Sequence, residues 1–220
     1  MMSSLLPALS PAVLNDSARG LSSGWYVHVL PPGEGGAMPG IWLVTGPPGV
    51  GKSTAVSKVV LRLKSAGVIV GGCSTAERKA GGVRVGFEVK DLTSGRTGEL
   101  ASVSSRLGPQ VGRYRVNLTD LERVGAAGLT AAAESSELIV IDEVGPMELV
   151  SPEFRRAVQR CIDSGKPILA VAHERLEDDL LNELRQKATA AIMLTVETRD
   201  SQTEELGRVL LEAVGGPKLN

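Results

Sequence analysis

Residues 46–54 read Gly46-Pro47-Pro48-Gly49-Val50-Gly51-Lys52-Ser53-Thr54. A lysine and two hydroxyls follow a turn of glycines and prolines, a set suited to gripping an anion. Pro47 and Pro48 shape the turn but have no N–H to give. The donors must be the backbone amides of Gly49 through Ser53, converging with the positive end of a helix. Gly49 and Gly51 permit dihedrals and a close approach that a Cβ would forbid. The spacing is that of G-x-x-x-x-G-K-[ST], a phosphate-binding loop (P-loop). In it Lys52 reaches the β- and γ-phosphates and the Ser53 hydroxyl ligates Mg²⁺. The expected nucleotide contacts run from Gly46 to Thr54.

A second reactive group lies in LIVIDEVGPMEL, residues 138–149. Asp142 ends a fully apolar run, where an acid is costly to bury unless a cation or water awaits it. The phosphate loop supplies the reason, since a carboxylate on a neighbouring strand end can hold Mg²⁺ through its water shell. Glu143 follows directly. The exit turn, with Val144 and Gly145, can aim it at the γ-phosphate, where it would orient and deprotonate a water, and Asp142, Glu143, Val144 and Gly145 join the expected nucleotide contacts. A base kept for water favours hydrolysis over transfer to an alcohol. The Asp-Glu pair also points to P-loop folds with an extra strand between the two motif strands.

These groups need strands that end and helices that begin at fixed places. Ile41–Thr45 is a short apolar run, hence a buried strand before the loop. Val56, Val59, Val60 and Leu63 fall at helical spacing after Ser53, and Gly67 offers a stop. Further strands are expected at Val68–Val70, Leu138–Ile141, Ile168–Ala172 and Ala191–Val196. VRVGFEVKDL and ELASVS, within residues 83–104, are β-rich and separated by TSGRTG, which predicts an inserted hairpin. Thr119 and Glu122 fit a capping box. Ser151-Pro152 opens a helix whose face is Phe154, Val158, Cys161 and Ile162. Leu180, Leu181 and Leu184 mark another, and Leu206, Val209, Leu210 and Ala213 the last. All-apolar strands alternating with helices predict an α/β fold: a mostly parallel sheet covered on both faces.

Composition narrows the partners. Lys plus Arg number 24 against 25 Asp plus Glu, a net charge of −1, and aromatics make up 3%. Neither gives a general pull towards nucleic acid or an anionic membrane. Cys73 and Cys161 lie outside any CxxC spacing and read as buried hydrophobes of a reducing compartment. No run approaches the roughly 18 apolar residues that span a bilayer. The expectation is a cytoplasmic monomer. Residues 1–40 read as a flexible leader, or as an over-long start with Met38 the true initiator, and residues 41–216 as a single domain.

Several blocks together resemble one family, the cancer-related nucleoside-triphosphatases, also known as thermophile nucleoside triphosphate phosphatases. They are GPPGVGKST, TAERKAGGVRVGFEVKDLTSGRTGELA, VGRYRVN, IDEVGPMEL and TVETRD, within about residues 41–200. The block of Gly81, Gly82, Arg84, Gly86 and Phe87, taken with IDEVGPMEL, is far more specific than the loop alone. The resemblance implies a RecA-like domain that hydrolyses nucleoside 5'-triphosphates to diphosphate and phosphate. It also implies Mg²⁺ dependence and little choice among ATP, GTP, CTP and UTP. Two departures stand out: Lys79 where the family often has arginine (Arg78 is one residue away), and Thr198-Arg199-Asp200 in place of Asn-Arg-Asp. The second bears on nucleotide preference if that asparagine touches the base. Arg84, Arg113 or Arg199 could supply an arginine finger, and His173 could sense the γ-phosphate. The rivals are a nucleotide or small-molecule kinase and a non-catalytic nucleotide switch.

Overall fold

A computed structural model describes residues 25–27 and 40–216. The strands are β1 (Trp25–Val27), β2 (Ile41–Thr45), β3 (Val70–Ala80), β4 (Val83–Asp91), β5 (Thr97–Ser102), β6 (Gln110–Val111), β7 (Tyr114–Val116), β8 (Leu138–Val144), β9 (Ile168–Ala172) and β10 (Ala188–Met193). They form one sheet in the order β1-β10-β2-β9-β8-β3-β4-β5-β7-β6. The helices are α1 (Lys52–Ser65), α2 (Leu118–Asp120), α3 (Ala127–Ser135), α4 (Pro152–Asp163), α5 (Asp179–Gln186) and α6 (Arg199–Ala213), with a π-helical stretch at Leu121–Ala126 joining α2 to α3.

Strand alternation divides the apolar side chains between two cores. Trp42, Val44, Val70, Leu138, Val140, Leu169 and Val171 pack beneath α1 and α6. Ile41, Leu43, Ile139, Ile141, Ile168 and Ala170 pack against α3, α4 and α5. A strand buried on both faces must be apolar throughout, as these sequences are. The central strands β10, β2, β9, β8 and β3 are parallel. β9 lies between β2 and β8, so the extra strand expected between the motif strands is there.

The structure moves several expected boundaries. Val68 is not in a strand. Its N–H donates to Leu63 O at 3.0 Å and that of Gly67 to Lys64 O at 3.0 Å, the Schellman closure of α1, with Val68 turned into the core. β3 starts at Val70 and runs 11 residues. The last strand ends at Met193, because Thr195 and Thr198 already bond to each other in a turn. Asn117, not Thr119, caps α2 by accepting from the Asp120 N–H at 3.1 Å, and Glu122 instead accepts from Ser151 Oγ at 3.0 Å. The inserted hairpin is larger than expected: β3 to β7 form an antiparallel extension of the sheet. Within the expected leader, Trp25–Val27 pair with β10 as an edge strand. The rest of residues 1–39, including the alternative start at Met38, lies outside the described residues.

Candidate active site

The loop after β2 wraps the start of α1. Gly46, Gly49 and Gly51 have φ of 142°, 79° and 108°, dihedrals that favour glycine. Gly51 is the N-cap of α1 and makes no side-chain cap, whereas Ser151 caps α4 and Asp178 caps α5. The first amides of α1 thus have no side chain bonded to them at the cap, beside the positive helix end. Lys52 folds back on the loop, its Nζ donating to Gly46 O at 2.9 Å and Pro47 O at 3.3 Å. Those carbonyls keep the ammonium beside the cradle.

Asp142 meets the loop from β8. Leu138 and Val140 face α1 while Ile139 and Ile141 face away, so the same alternation turns Asp142 towards α1. Ser53 Oγ donates to Asp142 Oδ1 at 3.1 Å. Asp142 is 1% exposed, and its Oδ2 is buried with no hydrogen-bond partner. Burial pushes its pKa up to about 7, with the Glu143 charge adding and the Ser53 hydroxyl and Lys52 opposing. An orphaned carboxylate oxygen beside a serine hydroxyl fits a hard divalent cation. Among the described residues no group of three or more His, Cys, Asp or Glu is arranged to hold a metal. A cation here would need phosphate oxygens and water to complete its shell.

Glu143 is half-buried and its peptide bond to Asp142 is cis. Two groups escaped the sequence reading. Thr45 Oγ1, at the end of β2, is buried without a partner. Glu148 is 5% exposed, and burial, then the Glu143 charge, pushes its carboxyl up to about 8. An acid between Met147 and Leu149 was the available signal.

On the other side of the loop a cleft of about 170 Å³ opens between α1 and α6, lined by Gly51, Thr54, Lys58, Arg199, Asp200 and Thr203 among others. Arg199 donates to Val50 O at 3.2 Å, and Lys58 pairs with Asp200 at 3.3 Å. The structure therefore brings Arg199 to the loop. Arg84 and Arg113 have their partners within the antiparallel extension: Arg84 pairs with Glu77, and Arg113 donates to Arg84 O at 2.7 Å and Tyr114 Oη at 3.1 Å. His173 follows β9, its N–H donating to Val144 O at 3.2 Å and its Nδ1 accepting from the Arg175 N–H at 3.3 Å.

A strand–loop–helix cradle, a buried acid on β8 and the β2-β9-β8 order define a P-loop α/β protein of the RecA-like kind. A sequence profile of the NTPase family matches residues 42–207. The nucleoside-triphosphatase THEP1 of Thermofilum pendens is 43% identical over 175 residues, 79% of this chain and 96% of that protein. The crystal structure of THEP1 from Aquifex aeolicus matches with a TM-score of 0.66 at 30% identity, covering 76% of this chain and 96% of that one. The solution structure of a human cancer-related nucleoside triphosphatase matches with a TM-score of 0.63 at 34% identity, covering 77% and 96%. The chain belongs to the NTPase family.

Proposed function

We propose that this chain hydrolyses nucleoside 5'-triphosphates, with broad base tolerance and dependence on Mg²⁺, to nucleoside diphosphate and phosphate. The chain is a nucleoside-triphosphate hydrolase in this reading. One observation carries it: the Ser53–Asp142 contact, with Asp142 Oδ2 orphaned, beside the cradle at the head of α1. The amides of residues 49–53 bind the phosphates, and Lys52 leaves the Gly46 and Pro47 carbonyls for the β- and γ-phosphate oxygens. Ser53 and, through water, Asp142 would hold Mg²⁺, which when bound neutralises charge on the phosphate oxygens. Glu143 orients water against the γ-phosphorus and takes its proton as the bond to the β-phosphate oxygen breaks. The leaving diphosphate keeps the electron pair. Catalysis is then mainly placement and charge neutralisation.

The nucleoside leaves the cradle past Thr54 into the α1–α6 cleft. Its lining is mostly hydroxyl and charged side chains, a surface that accepts different bases, and this supports broad tolerance. A monomer working in the cytoplasm, free of membrane and nucleic acid, completes the proposal. Its support is the balanced charge of the chain. Among the described residues no helix is long and apolar enough to cross a membrane.

The test is phosphate release from ATP, GTP, CTP, UTP and a diphosphate, with and without Mg²⁺. All four triphosphates should be cleaved with Mg²⁺ alone, and added alcohol acceptors should not raise the rate. Glu143→Gln should still bind nucleotide in calorimetry but lose turnover by about 10²-fold or more. Lys52→Ala retaining both uptake and turnover would overturn the reading of the loop, and an unaltered Glu143→Gln that of the base.

A further inference from the structure

We infer that Glu148 is a positioning residue: its buried side chain braces the Glu143 carboxylate across Gly145 and fixes the line from Glu143 to the attacking water. The inference rests on the reading of Glu143 as the group that orients that water.

The geometry at Gly145 carries it. A Cβ built on Gly145 would lie 2.9 Å from Glu143 Oε1 and 3.1 Å from Glu148 Oε2. Both carboxyl groups therefore border the space above the Gly145 backbone, which glycine leaves open. The two ends of the contact are held unequally. The turn carrying Glu148 is closed by Leu149 N–H on Gly145 O at 3.0 Å and by Ser151 N–H on Glu148 O at 3.1 Å. Ser151 in turn caps α4 through the Phe154 N–H at 3.1 Å. Glu148 is thus tied to the start of a helix, whereas Glu143 is half-buried at the open end of β8.

A residue needed only to fill this space would be apolar, because burying an acid among acids is costly. The charges acting on Glu148 are those of Glu143 and Asp142, and its own charge in turn pushes up the buried Cys73 thiol. Burial first and the Glu143 charge second favour its neutral form, while its own N–H and that of Gly145 oppose. A carboxylic acid has an O–H to donate, and the inferred bond gives it to the Glu143 carboxylate on the other side of that space. Such a bond holds a two-oxygen base in one orientation, which a freely rotating glutamate lacks.

The experiment compares Glu148→Leu, Glu148→Gln, Glu143→Gln and the double variant Glu143→Gln with Glu148→Leu. The kcat is expressed per nucleotide-binding site counted by calorimetry with a non-hydrolysable Mg²⁺-ATP analogue, so unfolded material does not enter. Glu148→Leu should lower kcat about 10- to 100-fold with KM little changed. Glu148→Gln, whose amide can donate in place of the acid, should recover most of that loss. In the Glu143→Gln background Glu148→Leu should cost nothing more, because the group it positions is already gone. Glu148→Leu at the wild-type kcat, a glutamine variant as slow as the leucine variant, or the full loss repeated in the double variant would each overturn the inference. Failure of the Glu143 reading shows separately, as Glu143→Gln turning over like the wild type, and takes this inference with it.

Discussion

The sheet has two halves built on opposite terms. In the parallel half, β9 and β8 are buried along nearly their whole length and face apolar cores on both sides. Their carboxyl ends bear the site. In the antiparallel half, β3 parts from β8 after the Ser74–Asp142 register pair and continues through Thr75–Ala80 paired with β4 alone. At 3.3 Å per residue those six positions carry the arm about 20 Å beyond that pair. Its outer part is exposed and laced with ion pairs, Arg78–Glu99, Lys79–Glu77 and Arg84–Glu77 among them. The contrast teaches that one half is specified by burial and the other by pairing, so substitutions should cost different amounts in each.

The largest difference is expected between two glycines of left-handed φ. Gly72 has φ +112°, and a Cβ there would stand 2.0 Å from Val140 O on the adjacent strand. Neither backbone can yield without opening the β3–β8 ladder. Gly72→Ala should cost about 3 kcal/mol or more in urea unfolding. Gly82, at the arm's tip, has φ +78° with nothing within 4 Å of a built Cβ. It suffers the dihedral strain alone, about 1–2 kcal/mol. Equal losses at the two positions would break the contrast.

Legibility followed the same divide. Ile41–Thr45 and Ile168–Ala172 stand out as strands because two-sided burial writes an unbroken apolar run, and Ser151-Pro152 marks a helix start because a cap is a local event. The loop was legible for a related reason: backbone donors require glycine, and a phosphate requires Lys52. What stayed hidden depends on partners distant in sequence. Val68 looks like strand until Leu63 is seen to accept its N–H. The arm's length depends on register with β4, which alternation leaves open. Glu148 becomes notable only when Gly145 brings it to Glu143.

An intermediate effect is expected from pH, and it originates at the site end of the parallel half. Folded Glu148 titrates at about 8 against an ordinary 4.5, and Asp142 at about 7 against 3.8. The folded state therefore keeps protons that the unfolded chain has released. The contribution to stability is fully present below the ordinary values and is lost as pH rises through the folded ones. Asp178, held low by its hydrogen bonds from Arg155, acts in the opposite sense, losing stability as pH falls below 3.8. The ligand-free protein should melt at a lower temperature at pH 8 than at pH 5, and Glu148→Gln should flatten that slope. A melting temperature that rises between those pH values would mean that water reaches these carboxyls more freely than their burial implies.

The smallest effect should come from the arm itself. Arg78 and Glu99 lie 2.6 Å apart with side chains 48% and 32% exposed. Water and salt screen such a pair, and fixing two long side chains costs entropy, so a double-mutant cycle should return about 0.2–1 kcal/mol. The coupling should fade further in high salt. Turnover should stay unchanged in both single variants if the arm only extends the sheet. A coupling well above this range would show that the arm is held as firmly as the core despite its exposure. A fall in kcat without loss of stability would be more telling, because it would make the arm part of the reaction and end the division of labour between the two halves.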